Sequence, residues 1–180
     1  MRKPTTFPIV AALAAALVLV GGLLALRLAP GLVNDVFAQG AGRLAGVFLG
    51  VPGVRMEAGW ALPFAAQPVL VTAACAATDF YVMAAALLGW HFMRRAGRPV
   101  WLPVVVAGAL LAAVPVTLLV NALRIVAVAH AHHWVISRLP VSYDAFLHML
   151  TGAAVFLPAL IGLNLLLEYN GRISLPSSRS

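Results

Sequence analysis

Three residues carry chemistry in a chain that otherwise holds few reactive groups: Cys75, Arg124 and His148. A thiolate attacks carbonyl carbon, an imidazole can take and return the thiol proton, and a guanidinium can stabilise an oxyanion. Together these groups suit acyl transfer through a thioester. Cys75 is the single cysteine, which excludes an internal disulfide and any multi-cysteine metal or iron–sulfur site. Supporting residues stand at helical spacing. Asn121 is three residues before Arg124, so its amide shares a helix face with the guanidinium. Asp144 is four before His148, where a carboxylate can fix the imidazole tautomer. Asp79, with Thr72 and Ala76, flanks Cys75, and Gly152, four beyond His148, leaves that face open for close approach. Taken singly, each of the three has a commoner role: a small hydrophobe, an arginine reaching to headgroups, an interfacial histidine. Ionisable groups within membrane spans are costly and mostly functional, so their joint placement favours chemistry.

The elements that must position them are membrane helices. Of the 180 residues, 63% are hydrophobic and 9% charged, with a mean hydropathy of +0.99. Soluble domains run about 45–50% apolar and about 25% charged. The expected fold is all-α and polytopic, about four transmembrane helices plus an interfacial amphipathic helix. A 20-residue apolar run spans about 30 Å of hydrocarbon, which sets spans at about 8–28, 69–93, 100–129 and 145–167. They form one domain, 1–168, followed by a polar cytoplasmic tail, 169–180. Pro115 is expected to kink the third span. The first span is expected to stay uncleaved, since its apolar stretch exceeds the length of a signal-peptide core. Between the first two spans, Leu32, Val36, Leu44, Val47 and Phe48 suggest an amphipathic helix. Residues 52–68 read as a loop at headgroup depth, and 130–143 as a polar loop containing histidines.

Net charge is +7, but the basic residues sit at the ends of apolar runs, with no basic stripe interleaved with aromatics. Nucleic acid is therefore not an expected partner; the lipid bilayer is. Arg2, Lys3 and the short Arg94, Arg95, Arg98 turn set both termini on the cytoplasmic side. On that topology Cys75 falls about two turns into the second span, Arg124 near the outer end of the third, and His148 in the first turn of the fourth. At about 1.5 Å per residue, all three lie within roughly 10 Å of the outer interface.

The stretches Cys75-Ala-Ala-Thr-Asp-Phe80, Asn121-Ala-Leu-Arg-Ile125 and His148-Met-Leu-Thr-Gly152 resemble the ordered motifs of the exosortase/archaeosortase family, membrane cysteine transpeptidases. The short chain is most similar to the compact exosortase K branch. The resemblance covers about residues 69–167. It implies Cys75 as nucleophile, His148 as base and Arg124 as oxyanion partner, with no cofactor and no metal. It also implies exported proteins with a C-terminal sorting signal and membrane anchor as substrates, in a bacterial inner membrane, with the site facing outside. Many members carry Glu-Ala-Cys-Ser-Gly around the nucleophile, whereas this chain has Ala73-Ala74-Cys75-Ala76-Ala77. The sorting motif, release to an amine or to water, and the choice of His148 or a neighbour such as His133 as the base stay open.

Two rival readings remain. A non-enzymatic membrane protein, such as a transporter subunit or assembly factor, would use Arg124 and Asn121 structurally. A metal or haem protein would use His130, His132 and His133, the first and last of which have a workable metal spacing on a helix.

Overall fold

The apolar runs become helices because a backbone in hydrocarbon must satisfy its own N–H and C=O groups. The computed structural model describes residues 7–56, 59–64, 68–72, 75–96, 102–134 and 144–173. Helix α1 covers Phe7–Leu28. After Ala29 the chain continues as the one-turn α2, Pro30–Leu32, a π-helical stretch, Val33–Gln39, and α3, Gly40–Leu49. Three short strands follow: β1, Val54–Met56; β2, Gly59–Leu62; β3, Val69–Val71. Helices α4, Thr78–Ala96, α5, Leu102–Trp134, and α6, Asp144–Ile173, complete the order.

Small residues set the packing. Ala11, Ala14 and Val18 of α1 are fully buried, while Leu13, Leu17 and Leu24 face outward. Gly22 of α1 lies against Val82 and Leu110, and Gly89 of α4 against Val18 and Ala109. Met93 joins Ala11, Ala14 and Val105 in a second apolar cluster. These contacts make α1 antiparallel to α4 and parallel to α5. Phe80 meets Phe156, His91 meets Asn164, and Arg95 donates to the Leu167 carbonyl. Helices α4 and α6 therefore run parallel. The start of α1, the end of α4, the start of α5 and the end of α6 share one end of the bundle. Arg124, the start of α6 and the segment leading into α4 share the other.

Three helical segments are long and apolar enough to cross a membrane: Ile9–Leu28, Leu102–Trp134 and His148–Asn170. The remaining long helix, α4, has 19 residues, about 28 Å at 1.5 Å per residue. It is the most polar of the four, with Asp79, His91, Arg94 and Arg95, and the most enclosed, since α1, α5 and α6 all pack on it. Asp79, Arg94 and Arg95 are exposed at its two ends, and only His91 is buried, where it meets Asn164.

The observed elements differ from the expected ones around the second span. Residues 69–93 do not form one helix. Val69–Val71 is a strand, and the helix starts only at Thr78. The loop expected over 52–68 holds β1 and β2, paired antiparallel, and β2 pairs in turn with β3, giving the order β1-β2-β3. This sheet packs on α3, with Trp60 against Gly42 and Leu62 beside Gly46. Gly59 has φ of +146°, and a side chain there would strike the Val71 carbonyl, so only glycine lets β3 close onto β2. The amphipathic helix is α3, but the face it packs is the small one, Ala41, Gly42, Ala45 and Gly46. Val47 and Phe48 point outward instead. Helix α5 continues through His130 to Trp134, where a loop was expected, and α6 runs on to Ile173 past the expected start of the tail. The rest of both segments, 135–143 and 174–180, lies outside the described residues.

Between β3 and α4 the backbone makes a tight turn. The Cys75 N–H donates to the Thr72 carbonyl at 2.9 Å. Ala77 then takes φ of +52°, a left-handed conformation that costs an L-residue about 1–2 kcal/mol. Glycine avoids that cost but loses about 0.4–1 kcal/mol in the unfolded chain. Ala77→Gly is accordingly expected to stabilise the protein by about 0.5–1 kcal/mol, and Ala77→Val to destabilise it, read as shifts of the thermal unfolding midpoint in detergent. A lowered midpoint for the glycine variant would contradict the strain assigned to this residue.

Candidate functional site

Polar groups on α5 organise the site end of the bundle. Thr117, Asn121 and Arg124 fall on one inward face. Asn121 is 0% exposed, and its Nδ2 donates to the Cys75 carbonyl at 2.6 Å. One buried amide thus ties the turn that carries the thiol to the middle of the bundle. The Oδ1 of Asn121 and the Oγ1 of Thr117, one helical turn away, are buried without a hydrogen-bond partner among the described residues.

Arg124 is 9% exposed. Its Nη2 lies 2.7 Å from His148 Nε2, and its guanidinium carbon sits 5.2 Å from the centre of the Phe156 ring. Gly152 provides the space: a Cβ there would stand 3.1 Å from Arg124 Nε, so any side chain would press on the guanidinium. A guanidinium has only donors. His148 Nε2 must therefore be the acceptor, which leaves the imidazole neutral with its proton on Nδ1.

Cys75, Arg124 and His148 line one cavity of about 480 Å3. One wall is β3, with Val69, Leu70 and Val71. The other is a stripe of α5 that rises from Arg124 and Ile125 through Val128 and Ala129 to His132 and His133. Phe64 and Pro68 stand at the upper end, where Phe64 meets the rings of His130 and His133. The thiol, the guanidinium and the imidazole close the lower end.

The other expected site residues sit differently. Cys75 is not two turns inside a helix but in the turn before α4, half-buried, three residues before the helix begins. The strand β3 takes up the residues that would have formed those turns. Asp79 is exposed in the first turn of α4, where a carboxylate complements the helix dipole, and does not line the cavity. Asp144 begins α6, but its side chain lies outside the described ones. His130 turns its Nδ1 to the Val126 carbonyl and its ring to Phe64. The described residues contain no group of three or more His, Cys, Asp or Glu placed to hold a metal. Sequence reasoning missed Phe64, Phe156 and the three residues of β3. Pro68 followed by Val-Leu-Val was the available strand signal, hidden inside a longer apolar run.

Comparison of the chain with family models, curated proteins and solved structures finds no match.

Proposed function

We propose that this protein is a membrane-embedded cysteine protease or transpeptidase that cleaves the C-terminal sorting signal of exported, membrane-anchored proteins. The observation that carries the reading is the shared cavity, in which a thiol, a neutral imidazole and a buried guanidinium line one space. The motif order of the exosortase-like resemblance supports the same assignment.

In this reading His148 removes the Cys75 proton and the sulfur attacks the scissile carbonyl. Taking a proton on Nε2 ends its acceptance from Arg124 and sets two cations side by side. The guanidinium then turns toward the developing oxyanion, where its donors stabilise the tetrahedral intermediate. Collapse breaks the C–N bond, His148 returns its proton to the leaving amine, and the upstream part of the substrate stays on Cys75 as a thioester. An amine, or water, then attacks the thioester and frees the thiol. Asn121 is a positioning residue that fixes the Cys75 backbone. The site end of the bundle faces outside, since a substrate held by its own anchor presents its cleavage segment at that interface, and the Arg94, Arg95 end faces the cytoplasm.

The test is processing of an exported reporter that bears a sorting signal and anchor. His148→Ala is expected to slow it about 100-fold or more. Imidazole added to the medium is expected to recover part of the loss, because the truncated side chain opens onto the cavity. Unchanged processing in His148→Ala would remove the proposed base. A non-enzymatic role would leave the reporter uncut by every variant and by the wild type.

A further inference from the structure

Strand β3 is the last strand of its sheet among the described residues, and the cavity touches Val69, Leu70 and Val71 in succession. Successive residues of a strand point to opposite faces. A space lined by three in a row therefore follows the strand's edge rather than one of its faces. The register pairs Val71 with Trp60 and Leu70 with Ala61, and the Val71 carbonyl is turned toward Gly59 of β2. Antiparallel ladders alternate, so the N–H and C=O of Leu70 point the other way, out of the sheet. Leu70 is 44% exposed.

The opposite wall has the length of a short peptide. From Arg124 to His133 the α5 stripe rises about 14 Å at 1.5 Å per residue, the reach of about four extended residues at 3.3 Å each. The groove ends on the catalytic groups, because the Cys75 N–H bonds the carbonyl of Thr72, the residue that follows β3. A strand edge unpaired among the described residues, a wall of matching length and a thiol near the strand's end call for one kind of occupant, an extended chain.

We infer that the segment to be cleaved binds as an added strand on β3, pairing with the outward N–H and C=O of Leu70, and so delivers its scissile carbonyl to Cys75. This rests on the function proposed above and adds the substrate's required conformation. The groove recognises backbone, with mostly apolar walls for the side chains. A substrate segment that is helical up to its anchor has to unwind before it can be cut.

The test uses the full chain in lipid nanodiscs and measures alkylation of Cys75 by N-ethylmaleimide. The probe is a synthetic peptide spanning the reporter's cleavage segment, together with analogues N-methylated on one amide at a time. The parent peptide is expected to slow alkylation. N-methylation is expected to weaken that protection about tenfold at the one amide that faces the Leu70 carbonyl, the scale of a lost backbone hydrogen bond, and to leave the amides on either side unchanged. Leu70→Pro, which removes the outward N–H, is expected to lower protection by the parent peptide, and Leu70→Ala, which shortens the side chain but keeps that N–H, is expected to retain it. No protection, or equal loss at adjacent amides, overturns the inference even if Cys75→Ala abolishes processing. Loss confined to that one amide, together with normal processing by Cys75→Ala, keeps the added strand and removes the cysteine mechanism. Protection lost only on dilution of the protein would show β3 paired with a second copy, and overturns the inference too.

Discussion

Cys75→Ala is expected to lower reporter processing by at least about 10,000-fold, the scale seen when a nucleophile that works as part of a unit is removed. The loss is a chemical one, because the turn is held by its backbone. The Cys75 N–H bonds the Thr72 carbonyl and the Cys75 carbonyl accepts from Asn121, and alanine keeps both. The thiol is half-buried, so its removal opens little core. Helix content and the unfolding midpoint are expected to match the wild type. Because the three groups act as one unit, Cys75→Ala combined with His148→Ala is expected to be no slower than Cys75→Ala alone. Additive losses would mean that the two residues serve separate steps.

The second large effect is expected at Arg124, where lysine preserves the charge and still fails. Arg124→Lys is expected to slow processing about 100- to 1000-fold, the range for loss of an oxyanion donor. A planar guanidinium can donate to His148 Nε2 while it lies over the Phe156 ring and fits against Gly152. An ammonium is a compact point charge on a flexible stem and does not reproduce that fork. It would also leave His148 without its present partner. Purified Arg124→Lys is expected to remain folded, as judged by elution and thermal unfolding. Processing at the wild-type rate would assign Arg124 to packing or to headgroup contact and remove it from the chemistry.

Much of the fold was legible in the sequence, for a simple reason. A bilayer leaves the backbone almost no alternative to helix, so α1, α5 and α6 follow from apolar length alone. The small face of α3 was not readable as a contact surface. Glycine and alanine give weak hydropathy signals, while Val47 and Phe48, the strong ones, face away from the bundle. The sheet was hidden because Val69-Leu70-Val71 merges into the apolar run that continues through α4. Its strand identity depends on long-range pairing with β2, which Gly59 permits and no local pattern encodes. Depth along the helices brought Cys75, Arg124 and His148 to one end correctly, although the route to Cys75 was misread. The contact between Arg124 and His148 needs the three-dimensional crossing of α5 and α6. Gly152, four residues beyond His148, was its visible trace. Asp79 looked like a partner only because Cys75 was set on the same helix. Once the turn at Ala77 intervenes, helical spacing no longer relates the two.

The central claim is a covalent one and can be measured directly. Wild-type protein in membranes, incubated with the reporter and quenched in acid, is expected to yield a hydroxylamine-labile conjugate of enzyme and reporter. Peptide mass spectrometry is expected to map that thioester to Cys75. Reporter cleaved without any acyl group on Cys75, and at the same rate by Cys75→Ala, would contradict the account.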